Sequence, residues 1–270
     1  PDEYRQGLAL DAARMDVSPG RRWRPLIDTA VAAPILYGTR PDRSSLRRGV
    51  DFYPEGALIW LDADVTIRTL SHGKKSLDDF CSAFFGGPSG PPEVKPYTLN
   101  DVLSALNAIQ PYDWAKFFDE RIKQVAPRAP LGGIEGGGWR LVYKEKLPPM
   151  MEWQEQESKG TNLVWSIGLS LREDGTVIDS LTGMPADRAG VAPGTQVIAV
   201  NGRQFNQRVI RTALREAKNS TEPIELLVKS GEYYKTHKID YHEGEKYPWL
   251  ERDDSRPDLL TNIISTKKPS

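Results

Sequence analysis

Several things are scarce in this chain, and each scarcity excludes something. One cysteine, Cys81, stands among 270 residues; an internal disulfide is impossible and the redox compartment stays undecided. No apolar run approaches the roughly 20 residues that a membrane-crossing helix needs, so no membrane span is expected. Charge of neither sign dominates, with 36 Lys and Arg against 37 Asp and Glu and a net charge of −1. That balance gives no reason to expect nucleic acid or an anionic membrane as partner. The opening residues PDEYRQGLAL carry no signal-peptide pattern. Nothing repeats internally, and no segment is low-complexity enough to read as disordered. Histidine is rare too: His72, His237 and His242. His237 and His242 lie five apart in a strand-like stretch and do not share a face, so no metal is expected in this chain.

What the chain does have is size and pattern. Its 270 residues exceed the usual single-domain size and suggest two domains, and 39% apolar content can supply their cores. The pattern divides near residue 128. Before it, helical periodicity dominates: Glu3 to Met15 reads as one helix, and Pro25 to Leu36 as another after the turn SPGRR. Ser76 and Asp79 form a capping-box pair, and Thr98 and Asp101 repeat it. Val102, Leu103, Leu106 and Ile109 then give a 3.6-residue stripe that Pro111 ends. Asp113 can cap a last helix carrying Trp114, Phe117, Phe118 and Ile122. The segment GGPSGPPEVKP, residues 86–96, reads as a surface loop.

After PRAPLGGIEGGG the pattern turns to short strands, at 139–143, 164–171, 176–181, 196–200, 224–228 and 233–241, with one amphipathic helix over 207–217. The expected fold class is therefore multi-domain, α and α+β. An all-α helical subdomain over 1–128 precedes a β-rich domain over 129–243, and a C-terminal tail covers 244–270.

The most specific stretch runs from Asp51 to Phe80, DFYPEGALIWLDADVTIRTLSHGKKSLDDF. Pro54 suits a first helical turn, where its missing N–H would be unpaired anyway. Ala57 to Leu61 is apolar on every side, which predicts an enclosed helix. Gly56 inside it costs about 1 kcal/mol relative to Ala; such a glycine suggests that something approaches its backbone closely. Tyr53 lies three residues earlier on the same face.

That stretch is followed in order by Phe84, Phe85, Gly86 and Gly87, by Tyr97 and Thr98, by Leu106 and Asn107, by Tyr112, Asp113 and Trp114, and near the end by YPWLER at 247–252. In this the chain resembles, over nearly its whole length, the glycyl aminopeptidase family of zinc metallopeptidases, thermolysin-like enzymes that carry a PDZ domain. The run PADRAGVAPGTQVIAVNG from Pro185 to Gly202 resembles a PDZ core, and Ser166, Ile167, Gly168 and Leu169 resemble its carboxylate loop. The family holds zinc with a His-Glu-x-x-His helix and a further Glu downstream, and none of the three histidines here is followed by Glu-x-x-His. The resemblance thus implies the C-terminal part of such an enzyme. Zinc belongs to the parent protein, none is expected in this chain, and the missing N-terminal part is a partner.

The same resemblance singles out residues. Tyr53 and Gly56 match a Tyr-x-x-Gly whose tyrosine donates to the oxyanion of the tetrahedral intermediate; Pro54 and Glu55 depart from the usual pattern. The alternative is a buried tyrosine bonded to backbone. In the PDZ-like part, successive N–H groups around Gly168 would hold a terminal carboxylate. A C-terminal peptide would add as a strand between Leu169 and the helix bearing Gln207, Arg211 and Leu214, and Arg211 suggests an acidic or otherwise non-standard ligand. The alternative is a domain that packs on the helical part and binds no free peptide. Elsewhere, Asp62 and Asp64 are expected to be solvated or to pair with Arg68. Arg21, Arg22, Arg24, Arg47 and Arg48 read as solvated surface, His72 as the end of a helix, and Cys81 as core filler. Three functions remain open: part of a zinc aminopeptidase acting on a peptide substrate, a non-catalytic peptide-binding module, or a structural relative.

Overall fold

The computed structural model of the protein describes residues 1–39, 43–87, 90–91 and 94–265. Part of the Gly/Pro-rich loop (88–89 and 92–93) and the last residues of the tail (266–270) lie outside the described residues.

The first half is helical. Helix α1 (Asp2–Val17) buries Leu8, Leu10 and Met15 together with Ala9, Ala12 and Ala13. A 3₁₀ turn, Pro19–Arg22, leads to α2 (Leu26–Val31) and α3 (Ala33–Leu36). The sequence predicted one helix here. It breaks at Ala32 because Pro34 has no N–H for the carbonyl four residues before it. The single turn α4 (Ser44–Arg47) precedes α5 (Phe52–Leu70), the axis of this half. Helix α6 (Leu77–Phe85) opens on its expected capping box, where the Ser76 N–H donates to the Asp79 carboxylate at 2.8 Å. Helix α7 (Leu99–Ile109) does the same through Thr98 and Asp101 at 2.7 Å. Asp113 caps α8 (Trp114–Phe118), which widens into a π turn over Asp119–Lys123. These helices close on Ile59, Ala63, Ile67, Phe80, Leu106, Phe117, Phe118 and the fully buried Trp114. The Trp114 indole N–H donates to the Gln110 carbonyl at 2.9 Å, so its one polar group is satisfied.

Helix α9 (Gly132–Gly136) lies against the middle of α5. A Cβ on Gly133 would sit 2.5 Å from the backbone nitrogen of Asp62, so only glycine permits this approach. Beyond it come β1 (Trp139–Lys144), α10 (Pro149–Ser158), β2 (Thr161–Leu163), β3 (Leu169–Leu171), β4 (Val177–Ser180) and α11 (Pro185–Arg188). They are followed by β5 (Gln196–Val200), β6 (Arg203–Gln204), α12 (Gln207–Ala217), β7 (Ile224–Ser230), β8 (Tyr233–Ile239), β9 (Tyr247–Arg252) and α13 (Leu259–Ile264).

Among the described residues all strand pairs are antiparallel, in sheets ordered β1-β9, β2-β3-β4 and β6-β5-β7-β8. The last two sheets and α12 enclose one core, with Leu163, Ile167, Leu169, Val197, Ile210, Leu214, Leu226 and Ile239 at its centre. The molecule is multi-domain, α and α+β, as the sequence pattern implied. Two details differ from the sequence reading. Only residues 169–171 of the expected strand 164–171 are extended, because Gly168 turns the chain at φ +84°. Residues 247–252, within the expected tail, form β9, whose partner β1 comes from far back in the chain.

The two halves are joined by shared cores. Leu8, Leu58, Leu61, Val65, Ile134 and Leu260 meet with Trp139, Leu141 and Leu250 packed against them. A second junction gathers Leu10, Ala13, Met151, Trp165 and Tyr247. Among the described residues, no helix is long and apolar enough to cross a membrane.

Candidate functional site

The start of α5 presents a face to solvent. Tyr53 is 66% exposed, and its ring lies 4.6 Å from that of Phe52, centroid to centroid. The Tyr37 hydroxyl donates to the Tyr53 hydroxyl at 3.5 Å, and this bond is the main cause that pushes the Tyr37 phenol above its ordinary range. A tyrosine buried against backbone is therefore not what the structure shows. Ala57, one turn on, is exposed, and among the described residues nothing lies within 4 Å of where a Gly56 Cβ would stand. Two expectations are corrected here. The helix is enclosed on the side of Leu58, Ile59 and Leu61 but open along Tyr53, Gly56 and Ala57. The close backbone approach belongs to Gly133 instead. On α2, which packs against α5, and on α3, Ile27, Val31 and Ile35 are exposed as well. In the chain by itself, Gly56→Ala is expected to raise stability by about 0.5–1 kcal/mol, read as a higher urea midpoint; a lower midpoint would show that the added methyl does meet something.

Directly beneath Tyr53 lies an ion cluster that sequence reasoning missed. Arg21 and Arg48 were expected at the surface; they are 4% and 2% exposed. Their common partner is Glu55, 1% exposed, in the first turn of α5. Arg21 grips it with two parallel bonds of 3.0 and 3.2 Å and donates from Nε to the Ala126 carbonyl at 3.2 Å. Arg48 donates to the same carboxylate, to Asp51 at 2.9 Å and to the Arg24 carbonyl at 3.1 Å. Two guanidinium groups thus face two carboxylates, and the hydrogen bonding fixes the start of the helix that bears Tyr53. The signal available in the sequence was the departure at Glu55 itself, a carboxylate in a helix start flanked by arginine pairs.

Other candidates fall to structural roles. Asp64 pairs with Arg68 at 3.0 Å, as expected, and also accepts the Leu77 N–H at 2.7 Å. Asp62 pairs with Arg121 at 2.7 Å, and burial, partly offset by that arginine, holds its carboxyl above the usual range. Both are buried rather than solvated. Cys81 is exposed, not core filler. His72 follows α5 in a left-handed conformation. His237 meets the Ala189 carbonyl at 2.7 Å, and His242 meets Asp240 at 3.0 Å.

The second site predicted from sequence is the turn before β3. The structure does bring Ile167 and Leu169 into one core with Leu214, with Ser166 and Gly168 in the same turn; Gln207 is exposed and Arg211 partly buried on the same helix as Leu214. It does not leave the arrangement open. Ser166, Ile167 and Leu169 are buried. The N–H groups of Ser166, Ile167 and Gly168 all converge on the Leu163 carbonyl, at 3.2, 3.1 and 3.0 Å. The Leu169 edge of β3 is paired with β2, in the register Leu163↔Leu169 and Thr161↔Leu171. Gln207 and Arg211 both donate to Glu155 of α10. Burial pushes the Glu155 carboxyl upward against the opposing pull of the Asn162 N–H and Arg211.

Among the described residues, no group of three His, Cys, Asp or Glu side chains is placed to hold a metal ion. The described residues of this chain do not by themselves supply a ligand set for a zinc ion.

Comparison with known proteins places the fold. No family model matches the chain, and no curated protein matches it. Among solved structures, the chain is similar to an aminopeptidase N family protein from Idiomarina loihiensis, with 17% identity and a TM-score of 0.67 over 98% of this chain. A second likeness is to the HtrA3 PDZ domain bound to a phage-derived ligand, with 16% identity over 42% of this chain and 92% of that one; its TM-score is 0.21, and the two folds are not shown to be alike. The chain therefore has the fold of part of an aminopeptidase N family protein, and it spans 44% of that protein's length.

Proposed function

We propose that this chain is the C-terminal portion of a zinc-dependent aminopeptidase that favours small N-terminal residues, in which it forms one wall of the active site and is not catalytic alone. The observation that carries the reading is the open stripe of Tyr53, Gly56 and Ala57 at the start of α5, an exposed phenol on a helix whose first turn is fixed by buried charge. The fold shared with an aminopeptidase N family protein supports it. Exposed Ile27, Val31 and Ile35 beside that stripe suit a surface that the remainder of the enzyme covers. Ligands for zinc would come from that remainder. Tyr53 would face the carbonyl of a peptide substrate and donate its O–H to the oxygen as negative charge develops there, a task that suits a group neutral at pH 7.

The β-rich part is, on this reading, a PDZ-like domain. Its occupied Leu169 edge favours a role in packing over capture of free peptides. The test of the whole proposal is the coding sequence upstream of the Pro1 codon. It is expected to continue in frame and to encode His-Glu-x-x-His with a Glu one helix later. A start codon at Pro1 without such a motif would sink the enzyme reading and leave a structural or peptide-binding module.

A further inference from the structure

The turn from Leu163 to Leu169 has the parts of a carboxylate trap, and they are in use. Three successive N–H groups, from Ser166, Ile167 and Gly168, point at one oxygen, the Leu163 carbonyl. Such a concave set of donors is a general anion or carboxylate holder. The residue whose oxygen it holds ends an extended segment, β2, that runs antiparallel along β3. A peptide joining a sheet edge makes that same arrangement, with main-chain pairing for affinity and side-chain anchors for specificity.

The side chains complete the likeness. Leu163, 1% exposed, is buried in one apolar cluster with Ile167, Leu169, Ile210 and Leu214, so it occupies a pocket between β3 and α12. Gln207 of α12 reaches the Gly160 carbonyl at 3.3 Å, just before β2. Glu155 clasps the strand from the other side: it accepts the Asn162 N–H at 2.8 Å and receives Gln207 at 2.9 Å and Arg211 at 2.7 Å. The outer side of the turn is closed too. Trp165 is buried against Leu10, Ala13, Met151 and Tyr247, and the Lys246 N–H donates to the Ser166 hydroxyl at 3.0 Å.

We infer that Gly160–Leu163 is the resident ligand of this groove: an intramolecular strand with an apolar end residue, assisted by the Glu155 carboxylate, occupies the place that an exogenous C-terminal peptide would take. The groove serves to fasten α10 and the β-rich domain to the helical half. Its own chemistry, an apolar end pocket with Arg211 nearby, remains matched to an acidic peptide that ends in a free apolar residue. The inference does not depend on the peptidase reading, because it is tested by binding and not by turnover.

The probe is a fluorescein-labelled synthetic peptide of residues 155–163 with a free carboxylate at Leu163, titrated into the whole chain beside its C-terminal amide. The wild-type chain is expected to show no saturable binding at concentrations that saturate an opened variant. In Leu163→Asp, a charge in the apolar pocket displaces β2, and the free-carboxylate peptide should bind roughly tenfold or more tightly than it does to wild type, with the amide form weaker. Equal binding by wild type and variant, or no gain in a folded variant, would overturn the inference. Should Leu163→Asp not fold, amide exchange of the wild-type chain decides. The Ser166, Ile167 and Gly168 amides are expected to exchange only through global unfolding; exchange on the time scale of open loops would mean that the strand leaves the groove freely.

Discussion

Glu55→Ala is expected to lower the stability of the chain by about 3–5 kcal/mol, the usual loss when one partner of a buried ion pair is removed. Its thermal midpoint should fall by roughly 10 °C, given the per-kcal shift of chains near this size. The reason lies in what stays behind. Arg21 and Arg48 are both almost fully buried and both donate to this carboxylate. Without it, among the described residues, Arg48 retains Asp51 and the Arg24 carbonyl, while Arg21 keeps only its bond to the Ala126 carbonyl. Two cations in a low-dielectric site then repel each other with one carboxylate between them. Replacing all four side chains, Asp51 included, by apolar groups of similar volume should cost far less, because it removes the charges together with their desolvation. Thermal and urea unfolding followed by circular dichroism give both numbers. A loss under about 1 kcal/mol, the range of exposed pairs, would mean that water reaches the cluster and that it does not fix the start of α5.

Tyr53→Phe should act in the opposite way, with little effect on folding and a large one on turnover. Among the described residues the exposed hydroxyl makes one long bond, 3.5 Å to Tyr37, so its removal should leave the unfolding midpoint within about 0.5 kcal/mol of wild type. On the proposed reading, the change would remove a donor aimed at developing charge in the full-length enzyme, and kcat should drop about 10²–10³-fold. KM for a substrate with a small N-terminal residue should change little, since the interaction strengthens only in the transition state. Tyr37→Phe is the control: it removes the neighbouring phenol but not the donor itself, and a much smaller loss is expected. Unchanged kcat in Tyr53→Phe would take this residue out of the mechanism.

Local signals carried most of what was legible beforehand. The two capping boxes at Ser76 and Thr98 and the Asp113 cap stand where the sequence put them, because a cap is decided by residues three positions apart. The amphipathic helix at 207–217 was equally plain, since its apolar stripe needs no distant partner to be read. The shift from helices to short strands, and with it the fold class, followed from the change of period.

The tertiary structure decided whatever depended on a distant partner. Arginine pairs look like solvated surface until Glu55 arrives from α5 to bury Arg21 and Arg48. Gly56 and Gly133 are alike in sequence terms, yet only Gly133 meets a backbone, because α9 lies against α5 and none of the described residues lies against Gly56. The short segment at 161–163 carries too little alternation to announce a strand, and β3 alone makes it one. The stretch at 247–252 becomes a strand through β1 in the same way. The sequence by itself determined the helix caps, the amphipathic helix at 207–217 and the fold class, all written in near-neighbour chemistry. Only the packed chain determined which charges are buried, which glycine is needed and what fills the groove, because each of those depends on the desolvation and pairing of groups brought together from far along the chain.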